Sequence, residues 1–220
     1  MKIILIGYNT SKKILPACSY LLSKYLPGFD IKFLNFGEYT DKLFIGEYIK
    51  LDDTQKGKSQ AWAKYLIKYL TTLTDKFIIF ALDDYFINRP IQTNIPLDLK
   101  DAVACNLCSA FDINNKMYSV TTQYAIWNRE FLINLLKQIK TPWEFEIDGS
   151  KYLNHLNVKT TWKPALCYAD DSALSARHPN KVSVLGLDKK DIGFLINAGF
   201  LIKEELIVGQ PMGQAINYEG

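Results

Sequence analysis

The stretch "KFIIFALDDYFINRP", residues 76 to 90, runs six apolar positions straight into two adjacent carboxylates, Asp83 and Asp84. Like charges that close repel, and each ionised carboxylate resists leaving water. Two arrangements make the pair tolerable. Either it is solvated, as a loop pair or a helix cap, or a cation sits between its arms. Two carboxylates at the carboxyl end of a strand can hold Mg²⁺ or Mn²⁺ through oxygen, with water and substrate phosphates in the other positions. Two further pairs carry less. No comparable apolar strand runs into Asp52-Asp53, which reads as solvated, and Asp170-Asp171 is intermediate.

"TPWEFEIDGS", residues 141 to 150, is the second candidate. Thr141, Pro142 and Glu144 satisfy a capping-box pattern, which gives Glu144 a role as helix cap. Glu146 lies further in and is harder to explain as a cap. Beside Trp143 and Phe145 it would be partly desolvated, which suits a general base. "YSVTTQYAIWNRE" adds Gln123, Trp127 and Arg129, with Trp127 either core or a sugar platform. Of the two histidines, His155 falls on a predicted helix and reads as structural. His178, in the loop "SARHPNK", is available as a metal ligand. Cys105 and Cys108 form a C-x-x-C, but "DAVACNLCS" reads as a strand and no second pair completes a zinc site, so buried thiols are expected. No G-x-S-x-G, P-loop or G-x-G-x-x-G motif is present, which argues against hydrolase, P-loop and dinucleotide readings.

These groups need a scaffold, and the chain can supply one. Its 220 residues are 48% hydrophobic and 13% aromatic, enough to pack the core of one domain spanning residues 1–220. About 1–150 would form its core, and about 156–220 a C-terminal extension. The formal net charge is +3, almost all from lysine; the only arginines are Arg89, Arg129 and Arg177. A sequence-reading nucleic-acid binder usually clusters arginine, so nucleic acid is not expected as a partner. The apolar run in "MKIILIGYNTSKK" is too short for a signal peptide, and nothing approaches the ~20 apolar residues of a membrane span. A soluble, cytoplasmic protein is expected. Oligomeric state is not legible.

"KIILIG", "DIKFLNF" and "FIIFAL" are apolar runs expected to be buried strands. Between the first two, Ile14, Leu15, Cys18, Leu21, Leu22 and Tyr25 recur at helical spacing, with Pro16 in the first turn and Pro27-Gly28 as the stop. That succession predicts a βαβ unit with parallel pairing. "LFIGEYI" is a candidate short strand, and a helix from about Ser59 buries Trp62, Tyr65, Leu66, Tyr69, Leu70 and Leu73. The acidic pair would then lie at the carboxyl edge of the sheet, where open α/β sheets bind ligands. Beyond Pro90, "DAVACNLCS" and "YSVTTQYAIW" predict an antiparallel pair. Asn128 can cap the next helix, and a further one runs from Pro142 to about His155. Asp188 opens a short helix that Gly199 can end.

Three blocks in this order, "WAKYLIKYLTTLTDKFIIFALDDYFI", "YSVTTQYAIWNREFLINLL" and "TPWEFEIDGS", resemble GT-A-type glycosyltransferases, close to small bacterial and viral sugar transferases of surface polysaccharides. The resemblance covers roughly residues 1–150. It implies a Rossmann-like three-layer α/β sandwich with a mixed, mainly parallel central sheet. It also implies a nucleoside-diphosphate sugar donor, a glycan or other hydroxyl acceptor, and a divalent cation, Mn²⁺ or Mg²⁺. The family's acidic motif falls on "LDDY". This makes Asp84 the metal ligand and Asp83 a contact to the donor ribose or to the metal's water shell. The pair is adjacent instead of Asp-x-Asp, so the sequence leaves open which carboxylate touches metal. Nucleotide binding would fall on Tyr8, Asn9 and Thr10, the base of an inverting reaction on Glu146 or Glu144, and a last metal ligand on His178. Two competing readings are a metal-dependent nucleotidyltransferase and a non-catalytic binding or structural protein on a degenerate version of the fold.

Overall fold

The computed structural model describes residues 1–7, 13–36, 38–39, 44–51, 62–83, 85–88, 90, 104–106, 120–155, 182–184 and 187–207. Ile3 to Ile6 are buried without a break in β1 (Lys2–Ile6), as are Ile78 to Leu82 in β4 (Phe77–Leu82). Strands apolar at successive positions must be covered on both faces, since consecutive side chains point opposite ways. β1 pairs in parallel with β2 (Asp30–Phe36) on one side and with β4 on the other, and β2 pairs in parallel with β3 (Glu47–Leu51). Antiparallel to β4 runs β6 (Ala125–Asn128), which in turn holds β5 (Ala104–Asn106). The order across this six-stranded mixed sheet is β3-β2-β1-β4-β6-β5.

Between β1 and β2 lies α1 (Leu15–Tyr25), and between β3 and β4 lies α2 (Trp62–Leu70). The first connection steps one way along the sheet and the second steps back across two strands. Right-handed crossovers therefore put α1 and α2 on opposite faces. On the α2 face, Phe145 of α4 (Pro142–His155) is the hub of an aromatic cluster, with ring centroids 5.7 Å from Trp62, 5.9 Å from Phe80 and 5.6 Å from Trp127. Trp127 is thus core and no sugar platform. On the other side, α5 (Lys189–Asn197) covers α1: Phe194 stacks on Tyr20, centroids 4.6 Å apart, and buried Asp191 accepts from Lys24 and from the Tyr25 hydroxyl. The result is the three-layer α/β arrangement expected.

Caps behave as their residue types dictate. Asn128 accepts the Phe131 amide at the start of α3 (Arg129–Leu136), and Asp188 accepts that of Lys190 at the start of α5. Gly28 and Gly199 follow α1 and α5 with φ of 83° and 76°, values that glycine takes most readily. α1 starts from Ile14 without a side-chain cap, and Pro16 sits in its first turn. The expected start of α2 at about Ser59 lies outside the described residues.

Two boundaries differ from expectation. The strand looked for at "LFIGEYI" begins only at Glu47, because Gly46 has a φ of 119° and a side chain there would sit 2.9 Å from the Ile31 carbonyl. Among the described residues, the strand expected from Tyr118 is found only at Ala125–Asn128. In the segment before it, the amides of Val120, Thr122 and Gln123 donate to Ser150, Glu146 and Thr121 side chains instead of to a ladder. The sequence also gave no hint of a small parallel pair, β7 (Val182–Ser183) with β8 (Leu206–Ile207). At the β3 margin Lys32 bridges Asp30 and Glu47, and Lys50 pairs with Glu38. No helix among the described residues is long and apolar enough to cross a membrane.

Candidate functional site

β1 connects to β2 on one side of it, while β4 lies on the other. The carboxyl ends of β1 and β4 therefore flank the point where the chain's course across the sheet reverses, the crevice in which open α/β sheets bind ligands. Gly7 follows β1 there and Asp83 follows β4. The ladder extends just past both strands, with the Asp83 amide on the Ile6 carbonyl at 3.2 Å and the Gly7 amide on that of Leu34 at 3.0 Å.

Asp83 is only 4% exposed. Its carboxylate turns across the end of β1 toward β2, where the Asn35 side-chain amide donates to Oδ2 at 3.1 Å. The carboxylate occupies the volume a side chain on Gly7 would need. A Cβ built there would stand 1.6 Å from Oδ2 and 2.1 Å from Oδ1. Glycine is required at position 7 by this close approach, since any other residue would collide with the acid. Neither Gly7 nor Asn35 was singled out from sequence. Asn35 did leave a signal, a lone amide in the otherwise apolar stretch "FLNF" that ends β2.

The described residues that flank the acidic pair are tied down on both sides. Before it, the Leu82 amide donates to the Thr122 carbonyl at 2.9 Å. After it, the Tyr85 carbonyl accepts the Tyr124 hydroxyl at 2.9 Å and the Cys18 thiol at 3.6 Å. Half-buried Glu146 belongs to the same construction. Its Oε1 accepts both the amide of Thr122, at 2.9 Å, and the hydroxyl, at 2.7 Å. One turn on, the hydroxyl of buried Ser150 accepts the Val120 amide at 2.9 Å. Thus α4 grips the segment that lies against the end of β4.

Glu144 performs the capping role its pattern suggests. Its Oε2 accepts the Lys140 amide at 2.7 Å, while its own amide donates to Thr141 Oγ1 at 3.2 Å. Gln123 is buried in the segment before β6, and Arg129 donates to the carbonyls of Asp75 and Leu70. His155 ends α4, on the helix where the sequence places it. Tyr8, Asn9, Thr10, Asp84 and His178 lie outside the described residues, as do Asp52-Asp53, Asp170-Asp171 and Cys108. Of the site residues singled out from sequence, the structure describes Asp83, set against Gly7; Glu146, tied to the end of β4 through Thr122; and the cap Glu144.

Among the described residues, no three His, Cys, Asp or Glu side chains gather into a metal cage. The chemistry of Asp83 nonetheless suits a hard divalent cation. It offers carboxylate oxygen, and it carries the kind of hydrogen-bonded outer partner, here Asn35, that ligating carboxylates take.

Solved structures that align with this chain include glycosyltransferases and a cytidylyltransferase. GlyE, a glycosyltransferase of Streptococcus pneumoniae, aligns over 74% of this chain and 44% of its own, at 12% identity and a TM-score of 0.49. LgtC, a galactosyltransferase solved with donor and acceptor sugar analogues, aligns over 71% of this chain and 70% of its own, at 10% identity and a TM-score of 0.46. A cytidylyltransferase of Leptospira borgpetersenii aligns over 73% of each chain, at 12% identity and a TM-score of 0.48. The match thus covers less than half of GlyE. No protein-family model matches the sequence, and no curated protein matches it.

Proposed function

We propose that this protein is a glycosyltransferase that moves a sugar from a nucleoside-diphosphate sugar to a hydroxyl acceptor, a glycan among the candidates, with a divalent cation assisting. The observation that carries the reading is the buried carboxylate of Asp83 at the switch point, housed against Gly7 and held by Asn35. A carboxylate placed at that edge faces the position a donor would occupy.

In this reading Tyr8, Asn9 and Thr10, directly after Gly7, bind the nucleotide. Asp83 contacts the donor ribose or the water shell of the cation. Asp84 would hold Mn²⁺ or Mg²⁺ directly, with His178 as a further ligand. Bound there, such a cation supplies positive charge against the phosphate negative charge that grows as the sugar departs. Glu146 takes the acceptor's proton if the reaction inverts, oriented by Thr122 as catalytic bases are oriented by a third group. If the reaction retains configuration, Glu146 remains the anchor of the segment beside β4. Glu144 stays a cap.

A thermal-shift screen of UDP-, GDP-, CDP- and dTDP-sugars, with and without Mn²⁺, tests this. The expected result is metal-dependent stabilisation by one nucleoside diphosphate, lost in Asp84→Asn. With that donor, Glu146→Gln keeps binding and loses transfer if the reaction inverts. Selective stabilisation by nucleoside triphosphates would instead mark a nucleotidyltransferase. Silence toward every nucleotide would mark a non-catalytic protein on this fold.

A further inference from the structure

Asn35 is fully buried, one residue from the end of β2. A primary amide in that position is costly unless its polar atoms are met. Its Oδ1 accepts the Phe36 amide at 2.7 Å, and its Nδ2 donates to Asp83 Oδ2 at 3.1 Å. The first bond decides the second. With the oxygen fixed on a backbone N–H, the NH₂ group can only face the carboxylate. Gly7 bounds the same carboxylate from β1, so the acid is set between a glycine that leaves it room and an amide that fixes one oxygen.

We propose that Asn35 is a positioning residue for donor binding. It touches neither nucleotide nor cation. It acts through Asp83, fixing the direction in which that carboxylate presents its charge to the diphosphate and its cation. The proposal rests on the glycosyltransferase reading above. A hydrogen bond to an ionised acceptor is short-ranged and directional, so an apolar residue of equal volume cannot replace it. Aspartate in its place would set an acceptor against an acceptor.

The test uses the full chain and Mn²⁺ together with whichever of UDP, GDP, CDP or dTDP stabilises the wild type, with affinity read by calorimetry. Asn35→Leu is expected to weaken binding by about 10- to 100-fold. Added to Asp83→Asn it should weaken binding no further, because the two residues act as one unit. The exchanged pair, N35D with D83N, rebuilds an amide–carboxylate bond with the charge moved to β2. It should recover thermal stability without recovering affinity. A folded Asn35→Leu protein with wild-type affinity overturns the proposal, as does an exchanged pair that recovers affinity along with stability. If Asn35→Leu does not fold, Asn35→Ala, read in the same way, takes its place. A wild type indifferent to all four nucleotides removes the glycosyltransferase reading itself, and this proposal falls with it. A responsive wild type with indifferent Asn35 variants removes only the positioning role.

Discussion

Asp83 and Asp191 are 4% and 2% exposed, and the chain houses them by opposite means. Asp191, in the first turn of α5, meets the Lys24 ammonium and the Tyr25 hydroxyl and so fastens α5 to α1. Asp83 stands at the carboxyl edge of the sheet, beside a glycine that leaves it space and an amide that donates to it. Asp191 makes a link between two helices from side chains that already face each other. Asp83 demands a glycine in place of any side chain at position 7 and an amide inside an apolar strand. Burial of a carboxylate is therefore a weak sign of function. A better one is what the surrounding sequence gives up to accommodate it, and where in the sheet it does so.

Gly7→Ala would disturb this contrast most. The added methyl overlaps the carboxylate, so the acid must leave its place against Asn35. Loss of the Mn²⁺-dependent nucleotide response is expected, with overpacking of about 1–3 kcal/mol read from urea unfolding. An alanine variant that binds nucleotide normally would break the argument for a cleared pocket. Asp191→Ala comes next. It strips a buried acceptor from two donors and should lower stability by about 2 kcal/mol, while nucleotide affinity stays unchanged. Weaker nucleotide binding in that variant would erase the distinction between the two acids.

Alkali provides a subtler probe. The hydrogen bond with Asp191 raises the Lys24 ammonium above its ordinary range, and burial, then that same acid, raises the Tyr25 phenol. Groups raised on folding lend stability that is present below their unfolded values, 10.5 and 10.0, and lost as pH climbs through the folded ones. The wild type should thus lose melting temperature above about pH 10, and Asp191→Asn should flatten that decline. An equally steep alkaline decline in the variant would place its origin elsewhere. The smallest effect is expected at the neighbouring cap, where Asp188→Ala should cost about 1 kcal/mol in a denaturant titration.

The sheet was legible where burial on both faces forces continuous apolar runs. "DIKFLNF" and "FIIFAL" coincide with β2 and β4, and "KIILI" with β1. Legibility failed where side chains took over hydrogen bonds that a ladder would have made. Residues 120–124 look like strand in composition, yet Ser150 and Glu146, more than twenty residues away along the chain, claim their amides. The same limit applies to the site. Asp83 was visible because an apolar run stops at it. The importance of Gly7 and Asn35 depends on contacts to a residue 76 and 48 positions further on. Local pattern carries no trace of such distances. Glu146 was visible as a glutamate poorly explained as a cap, and its engagement with Thr122 was not.

The ionic rim of β3 has a consequence for assembly. Among the described residues β3 ends the sheet, and a terminal strand exposes backbone groups that invite another chain to add itself. Here Glu47 and Lys50 carry charge along that strand, engaged with Lys32 and Glu38. A visiting strand would have to strip water from these groups before gaining any backbone bond. The rim thus guards the molecule against sheet-to-sheet aggregation on that flank.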